Sequence, residues 1–367
     1  MPAITNPTAL ILVTGANGFL GTWIVRQLLE KGHRVRAAVR SMDKGLYLRE
    51  LFESHSGNLE LVIIGDMTEA GAFANAVRNV DGIIHTASPV TTFADDPNEV
   101  IQPAMKGVIG ILESARDHGA RVSRIVVTSS SAAIMDTEDE EITVSELDWN
   151  DRRVQECEAL GRQASGLSKY SASKTLAERA AWEYVQRNRG EIAWDLTAIN
   201  PPYIFGPTIH NVETPASLNS SSKRFYNALV NNDFDGVQPM ERPGHGWVDE
   251  RDVAAAHIKA LETPDAGGER IIVSAGEWVW QDIINTALSL PNSIYRPHRE
   301  VTGPEEVKRR FITFSPDKRE RILGLKLRSM EECVGDILVD FAGRGVVSLS
   351  GLAGTADVKL RSFRDQG

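Results

Sequence analysis

One stretch near the start constrains this chain more than any other: Leu10-Ile11-Leu12-Val13-Thr14-Gly15-Ala16-Asn17-Gly18-Phe19-Leu20-Gly21. Its apolar run reads as a buried parallel strand. Leu20, Ile24 and Leu28 then recur at i, i+4 and i+8, the core-facing stripe of a helix, and Gly32 suits the residue just past its end. Strand, glycine turn and helix together make a dinucleotide cradle. One glycine permits the tight turn, a second lets backbone approach a pyrophosphate, and a third lets helix pack on strand. The helix then offers free N–H groups and the positive end of its dipole to the phosphates. The spacing G-x-x-G-x-x-G is one residue away from G-x-G-x-x-G. Glycines alone also suit an ordinary strand-to-helix turn; the flanking strand and helix make this a nucleotide site.

The rest of the first half alternates in the same way. Val35 to Val39, Leu59 to Ile64, Gly82 to His85 and Ile125 to Thr128 read as strands. Helical patterns run from Lys44 to Ser54, Ala70 to Val77 and Val100 to His118. Ser168 to Asn188 is helical again, and Asp195 to Ile199 is a strand stopped by Asn200-Pro201-Pro202. Such alternation predicts an α/β, Rossmann-type doubly wound parallel sheet. Asp136 to Asp151 is acidic and reads as a solvated loop. Asn211 to Gln238 leaves the sheet, Asp249 to Leu261 returns as a helix, and Arg270 to Val273 is a late strand. Residues 1–205, with a return segment at about 247–274, are therefore expected to form the nucleotide domain. Residues 206–246 and 275–342 form a smaller C-terminal substrate-binding lobe, and 343–367 an irregular tail.

Composition removes several functions. Forty basic against fifty acidic residues leave a formal charge of −10, so no global footprint for nucleic acid exists. No apolar run approaches the roughly 20 residues of a membrane helix. Met1 to Thr8 has neither the basic start nor the apolar core of a signal peptide. Two isolated cysteines, Cys157 and Cys333, fit a reducing compartment, and a cytoplasmic protein is expected. The histidines show no metal-ligand spacing.

Chemistry enters with Tyr170-Ser171-Ala172-Ser173-Lys174, which sets tyrosine and lysine on one helix face at i, i+4. A free phenol titrates near about 10, and an adjacent ammonium lowers that value, so such a tyrosine can exchange a proton with an alkoxide. Alone, the pair also suits a plain surface helix. Thr128-Ser129-Ser130 lies just past a strand's C-terminal end, where parallel sheets hold ligands, and a serine there can donate to a carbonyl oxygen. Simple capping of the turn is the other reading.

Taken in order, these motifs resemble an extended short-chain dehydrogenase/reductase. The resemblance is to the branch with dihydroflavonol reductases, cinnamoyl-CoA reductases and fungal or yeast aldehyde and ketone (methylglyoxal-type) reductases. It runs from about Leu10 to Phe341. Beyond the glycine turn with Trp23, it rests on Val39-Arg40-Ser41, His85-Thr86-Ala87-Ser88-Pro89 and Val127-Thr128-Ser129-Ser130. Tyr170 with Ser173-Lys174-Thr175-Leu176-Ala177-Glu178, Asn200-Pro201 through Gly206-Pro207, and Asp252-Val253-Ala254 with Ala256-His257 complete it. The family implies Ser130 as the carbonyl-binding serine, Tyr170 as acid/base, and Lys174 as activator and ribose ligand. It also implies cofactor contacts at Gly15, Asn17, Gly18, Phe19, Leu20, Gly21, Thr86, Ala87, Ser88, Pro201 and Tyr203. Asp66 and Met67 resemble its adenine contacts. Lys106 departs from the family, which often carries asparagine or glycine there, and this puts that part of a proton relay in doubt.

The cofactor's phosphate form follows from charge. An acid at the end of the second strand would bind a ribose 2′-OH and repel a 2′-phosphate. Val35 to Ser41 holds no acid, while Arg40 and Lys44 suit a phosphate, so NADPH is expected; two solvated cations are the plainer alternative. The reading is an NADPH-dependent reductase of a hydrophobic or aromatic ketone or aldehyde, monomeric or homodimeric, with no nucleic-acid or membrane partner. Phe93, Tyr203, Phe205, Phe225 and Trp247 are candidates for the substrate wall, and each suits core packing equally well. A cinnamoyl-CoA-type thioester reductase, a hydroxysteroid dehydrogenase or sugar-nucleotide epimerase, and a non-catalytic NADPH sensor are the alternatives. Ser168-Lys169-Tyr170 differs from the cinnamoyl-CoA pattern, and Arg251, Arg224 and Lys223 form no dense cluster for CoA phosphates.

Overall fold

The computed structural model describes residues 3–88, 94–135, 142–231, 233–234, 245–290 and 312–344. In chain order the elements begin β1 (Leu10–Thr14), α1 (Phe19–Glu30), β2 (Arg34–Val39), α2 (Met42–Leu51), β3 (Leu59–Ile63) and β4 (Gly82–His85). They continue with α3 (Asn98–His118), β5 (Arg124–Thr128), β6 (Ile142–Val144), α4 (Asp151–Leu160), α5 (Gly166–Arg187) and β7 (Asp195–Asn200). Then come β8 (Tyr203–Phe205), α6 (Ser220–Val230), β9 (His245–Asp249), α7 (Glu250–Glu262), β10 (Arg270–Ile272) and β11 (Gly276–Trp278). The last are α8 (Trp280–Ser289), β12 (Ile312–Phe314) and α9 (Met330–Gly343).

Seven strands form one sheet in the order β10-β7-β5-β4-β1-β2-β3, and every pairing is parallel. Being parallel, the sheet needs cover on both faces, and its central strands β1, β4 and β5 are mostly apolar and buried for that reason. Ile11 and Val13 point to the face under α1 and α7, whereas Leu10 and Leu12 point to the face under α3 and α5. The strand order reverses between β1 and β4, which opens the ligand crevice at their C-terminal ends. A three-stranded sheet, β11-β9-β8, stands beyond β7 and packs on an aromatic cluster with α6, α8 and α9. A short parallel pair joins β6 to β12.

Most expected elements are present. The stretch 70–77 is the exception: it winds through turns rather than a helix. Gly71 takes φ +74°, a left-handed conformation that interrupts helical bonding, although Phe73, Ala76 and Val77 remain buried. The strands β8 and β9 lie in stretches with no clear periodicity, because Trp247, Tyr203 and Phe205 pair across a small sheet that only the fold assembles. Gly343 closes α9; the tail from 345, and 136–141 of the acidic stretch, lie outside the described residues.

Glu250, the first residue of α7, is wholly buried between Trp23 and the Gly206–Pro207 turn. Among the described residues neither carboxyl oxygen has a well-formed hydrogen bond, and the Trp23 indole N–H goes to the Pro207 carbonyl at 3.0 Å. Burial, and then the charge of Asp249, push this carboxyl well above the carboxylate range, against a smaller pull from Arg251. The folded state thus binds a proton that the unfolded chain releases near about pH 4.3. Stability from this group is complete below that pH and is lost as pH rises toward the folded value, by about 1.4 kcal/mol per pH unit. Glu250→Gln removes the titration. Thermal melts from pH 5 to 8 should show the variant gaining on the parent as pH rises; parallel curves would count against the assignment.

Candidate active site

The glycine turn is built by backbone on backbone. Gly15 has φ +65°, and a Cβ there would meet Thr86 Oγ1 at 2.7 Å and Ala87 N at 3.0 Å. A Cβ on Gly21 would run into the Gly15 carbonyl, so α1 can lie this close only without one. Gly18 N–H donates to Gly15 O at 2.9 Å, and Thr22 Oγ1 donates to Gly18 O at 2.8 Å, which closes the turn against the helix. No side chain caps the start of α1, and no acid stands in its first turn. Its first N–H groups and positive dipole end, carried by Phe19, Leu20 and Gly21 after Asn17, are therefore left for an anion. This cradle fits a dinucleotide pyrophosphate.

At the ends of β2 and β3 the adenosine-side candidates come together. Arg40 and Lys44 are exposed, one past β2 and one in α2. Asp66 Oδ1 accepts from Thr68 N and Thr68 Oγ1, both at 2.8 Å, and these bonds, with the charges of Arg40 and Lys106, hold it below the usual carboxylate value. Met67 packs on Gly107 of α3, where a Cβ would lie 3.0 Å from its Cε. Lys106 thus acts on the Asp66 end of the crevice.

Ser130, Tyr170 and Lys174 lie together past the C-terminal edge of the sheet, where α5 passes β5. Ser130 is buried at the start of a short 3-10 turn, its Oγ accepting from Ala132 N at 3.1 Å and standing beside Tyr170. Lys174 stands one helical turn from Tyr170, its Nζ 5.8 Å from the ring centre, and donates to Ser88 Oγ at 2.8 Å. Burial lowers the Lys174 ammonium to about 8. The expected lowering of the tyrosine is not found. Burial pushes the Tyr170 phenol up, the nearby Ser130 hydroxyl opposes this, and neighbouring Tyr203 adds to the rise. The ammonium is directed to Ser88, so desolvation outweighs it. Tyr170 therefore stays protonated at neutral pH, as a proton donor must.

The nicotinamide-side candidates line the same edge. Thr86 Oγ1 donates to Thr14 O at 2.7 Å, and Ala87 N to Thr14 Oγ1 at 3.3 Å. Thr14 Oγ1 also meets His85 Nδ1 at 2.8 Å; burial, then the Lys174 charge, keep His85 neutral by lowering it to about 4. Pro201 accepts from Ser131 N at 2.9 Å. Tyr203 in β8 stacks on Phe205 at 6.1 Å and accepts from Arg224 Nη1 at 3.0 Å. Phe205, Phe225 and Trp247 are interior to the aromatic cluster, so they serve packing, and Phe93 lies outside the described residues.

Sequence reasoning missed the groups that hold Ser130 in place. Asn200 Nδ2 donates to Ser130 O at 3.2 Å, and Asn150 Nδ2 to Ala132 O at 2.9 Å. Thr128 Oγ1 meets His257 Nε2 at 2.7 Å, with His257 Nδ1 on Val253 O at 2.8 Å and the ring lowered by burial to about 4. Spacing offered a hint for Glu178, four residues beyond Lys174 on the same helix.

The cradle yields a contrast. Gly21→Ala must push α1 off the turn, with an expected cost of about 1–3 kcal/mol and loss of dinucleotide binding. Gly57→Ala, with nothing within 4 Å of its Cβ position, should change neither. Melting curves and nucleotide fluorescence check both; equal behaviour would contradict the close packing.

Residues 11–276 match the NAD dependent epimerase/dehydratase family. The chain is 31% identical over 349 residues to the NADPH-dependent methylglyoxal reductase GRE2 of Saccharomyces cerevisiae, covering 91% of this chain and 99% of that protein. It is 32% identical over 346 residues to the ketoreductase azaE of Aspergillus niger, covering 89% and 95%. The structure of yeast methylglyoxal/isovaleraldehyde reductase Gre2 complexed with NADPH superposes with a TM-score of 0.78 at 30% identity, over 91% of this chain and 99% of that one. The chain therefore belongs to the NAD dependent epimerase/dehydratase family, the extended short-chain dehydrogenase/reductases.

Proposed function

We propose that this protein is an NADPH-dependent carbonyl reductase that turns a hydrophobic or aromatic ketone or aldehyde into its alcohol. The observation that carries the reading is the grouping of Ser130 beside Tyr170 with Lys174 one turn away, its Nζ 5.8 Å from the Tyr170 ring centre, at the crevice edge beside an uncapped helix start. Relatives whose names describe NADPH-dependent methylglyoxal reduction and ketoreduction support it. Gly15, Asn17, Gly18, Phe19, Leu20 and Gly21 would hold the pyrophosphate, and Arg40 and Lys44 the 2′-phosphate. Asp66 and Met67 would meet the adenine. Thr86, Ala87, Ser88, Pro201, Tyr203, Tyr170 and Lys174 would border the nicotinamide half. Residues 206–246 and 275–342 are proposed as the substrate lobe, and the protein as cytosolic.

When bound, NADPH supplies the hydride that the carbonyl carbon receives. Ser130 and Tyr170 donate hydrogen bonds to the carbonyl oxygen and stabilise charge as it develops there. Tyr170 then gives that oxygen its proton, which solvent restores to the phenolate. A phenol raised by burial suits this direction, because it is protonated at neutral pH. Lys174, still cationic at pH 7 with its value near about 8, stabilises the phenolate left behind. A free carbonyl compound is favoured over a CoA thioester. Arg251, one of the few cations that could meet CoA phosphates, is buried in ion pairs with Asp249 at 2.7 Å and Asp336 at 2.6 Å.

Three measurements test the reading. Tyr170→Phe should retain NADPH affinity and lose nearly all turnover, and Ser130→Ala should lose about 10²–10³ in kcat. Full activity in Tyr170→Phe would move the active site elsewhere. Arg40→Ala should weaken NADPH binding far more than NADH binding; equal losses would remove Arg40 from the phosphate site. Across a substrate panel, aryl ketones, keto esters and aldehydes should consume NADPH. Turnover of aromatic acyl-CoA thioesters alone would reverse the substrate assignment.

A further inference from the structure

Tyr170, Lys174 and Glu178 recur at i, i+4 and i+8 along α5, and the first two carry the proposed chemistry. Glu178 is 3% exposed, a carboxyl group lying in the interior. Its carboxylate is a junction. Oε1 accepts from Arg270 Nε at 2.5 Å and Trp182 Nε1 at 3.2 Å. Oε2 accepts from Ser129 Oγ at 2.5 Å and Asn200 Nδ2 at 2.8 Å. The same Asn200 amide donates to the Ser130 carbonyl at 3.2 Å. Arg270 is in turn fixed: its Nη1 donates to the carbonyls of Glu146 and Asp148, both at 2.8 Å, and its guanidinium carbon stands 3.6 Å from the Trp149 ring centre. Three elements, α5, β7 and β10, and the turn after β5 therefore meet at one carboxylate behind the Ser129–Ser130 peptide.

We infer that Glu178 is a positioning residue for the reaction, acting through Ser129 and Asn200 to hold the Ser130 hydroxyl at Tyr170. The inference rests on the reductase reading above. A buried ion pair is a poor source of stability, because desolvation offsets most of its Coulombic gain, whereas its fixed geometry can define one arrangement. Here that geometry fixes the Ser129–Ser130 turn, from which the Ser130 side chain projects. Hydrogen bonds to an ionised acceptor are short and directional, which suits holding a donor within a fraction of an ångström. Misplacing a catalytic group by about 1 Å can cost on the order of 100-fold in rate.

Two variants separate this from a structural role. Ser129→Ala removes one bond to Glu178 and leaves the Glu178–Arg270 pair. Glu178→Gln keeps the shape and weakens every bond at the junction. With a carbonyl compound that the parent enzyme turns over, kcat should fall roughly tenfold in Ser129→Ala and further, toward about 100-fold, in Glu178→Gln. NADPH affinity, measured by fluorescence, should stay within about twofold. The double variant should be no worse than Glu178→Gln, since both act on one path. A readout free of turnover is the ionisation of Tyr170 in the protein without nucleotide, followed by ultraviolet difference against Tyr170→Phe. The phenol faces Ser130, Lys174 and Tyr203. Moving the Ser130 hydroxyl away from the phenol should shift its titration to higher pH in both variants, because a hydroxyl donor beside it favours the phenolate. Unchanged kcat and titration in a folded Ser129→Ala protein would overturn the inference. So would a loss of kcat accompanied by an equal loss of NADPH affinity. If the parent reduces no carbonyl compound, the reductase reading fails, and the tyrosine titration still decides whether Glu178 holds Ser130.

Discussion

The structure depends on how closely α1 can approach β1. Two peptide segments meet at Gly15 and Gly21 with no side chain between them, and every later position on the crevice edge is measured from that contact. Because α1 starts uncapped at this point, its dipole faces the place where the strand order reverses. A methyl group at Gly21 would lift the helix, and the anion site would lose its donors. The constraint is steric, and it sets an electrostatic result.

Polar groups along the crevice are handled in two ways. Behind Ser130 the buried donors and acceptors of the described residues form one network that leaves Asn200 Oδ1 without a partner. His257 is neutral and bonded at both nitrogens, while Asn200, Glu178 and Arg270 share one network. Matched networks in a low-dielectric interior give rigid geometry, and rigid donors stabilise developing charge without reorganising. At the reacting edge, by contrast, desolvation is left to act. It raises Tyr170 and lowers Lys174 to about 8, so proton affinities that are nearly equal in water move apart. Glu250 follows neither pattern, and its unsatisfied carboxyl makes the start of α7 a weak point as pH rises.

The smaller sheet shows why the substrate side is harder to reason about than the nucleotide side. Tyr203, Phe205, Trp247 and Trp278 are neighbours there, although more than seventy residues separate the first from the last. Phe205, Phe225 and Trp247 suited a pocket wall as readily as a core, and packing put them inside. Tyr203 differs because β8 leaves it beside Tyr170 with its hydroxyl bonded to Arg224.

Local order was legible in the sequence wherever a short stretch carries its own physics. Periodicity gave the strands and long helices, glycine spacing gave the cradle, and i, i+4 placement gave Tyr170 and Lys174 one face. It failed at 70–77, where apolar spacing suggested a helix and Gly71 turned the chain instead. It also misjudged the tyrosine's proton affinity, since adjacency along a helix says nothing about desolvation or about Ser88 as a rival for the ammonium. What only the tertiary structure decided are relations between distant segments. Examples are Asn200 and Glu178 meeting behind Ser130, Arg270 stacked on Trp149, and Lys106 acting on Asp66. Pattern records which face a residue shares with its neighbours in sequence. Burial and pairing depend on which other segments cover that face, and the sheet order sets those.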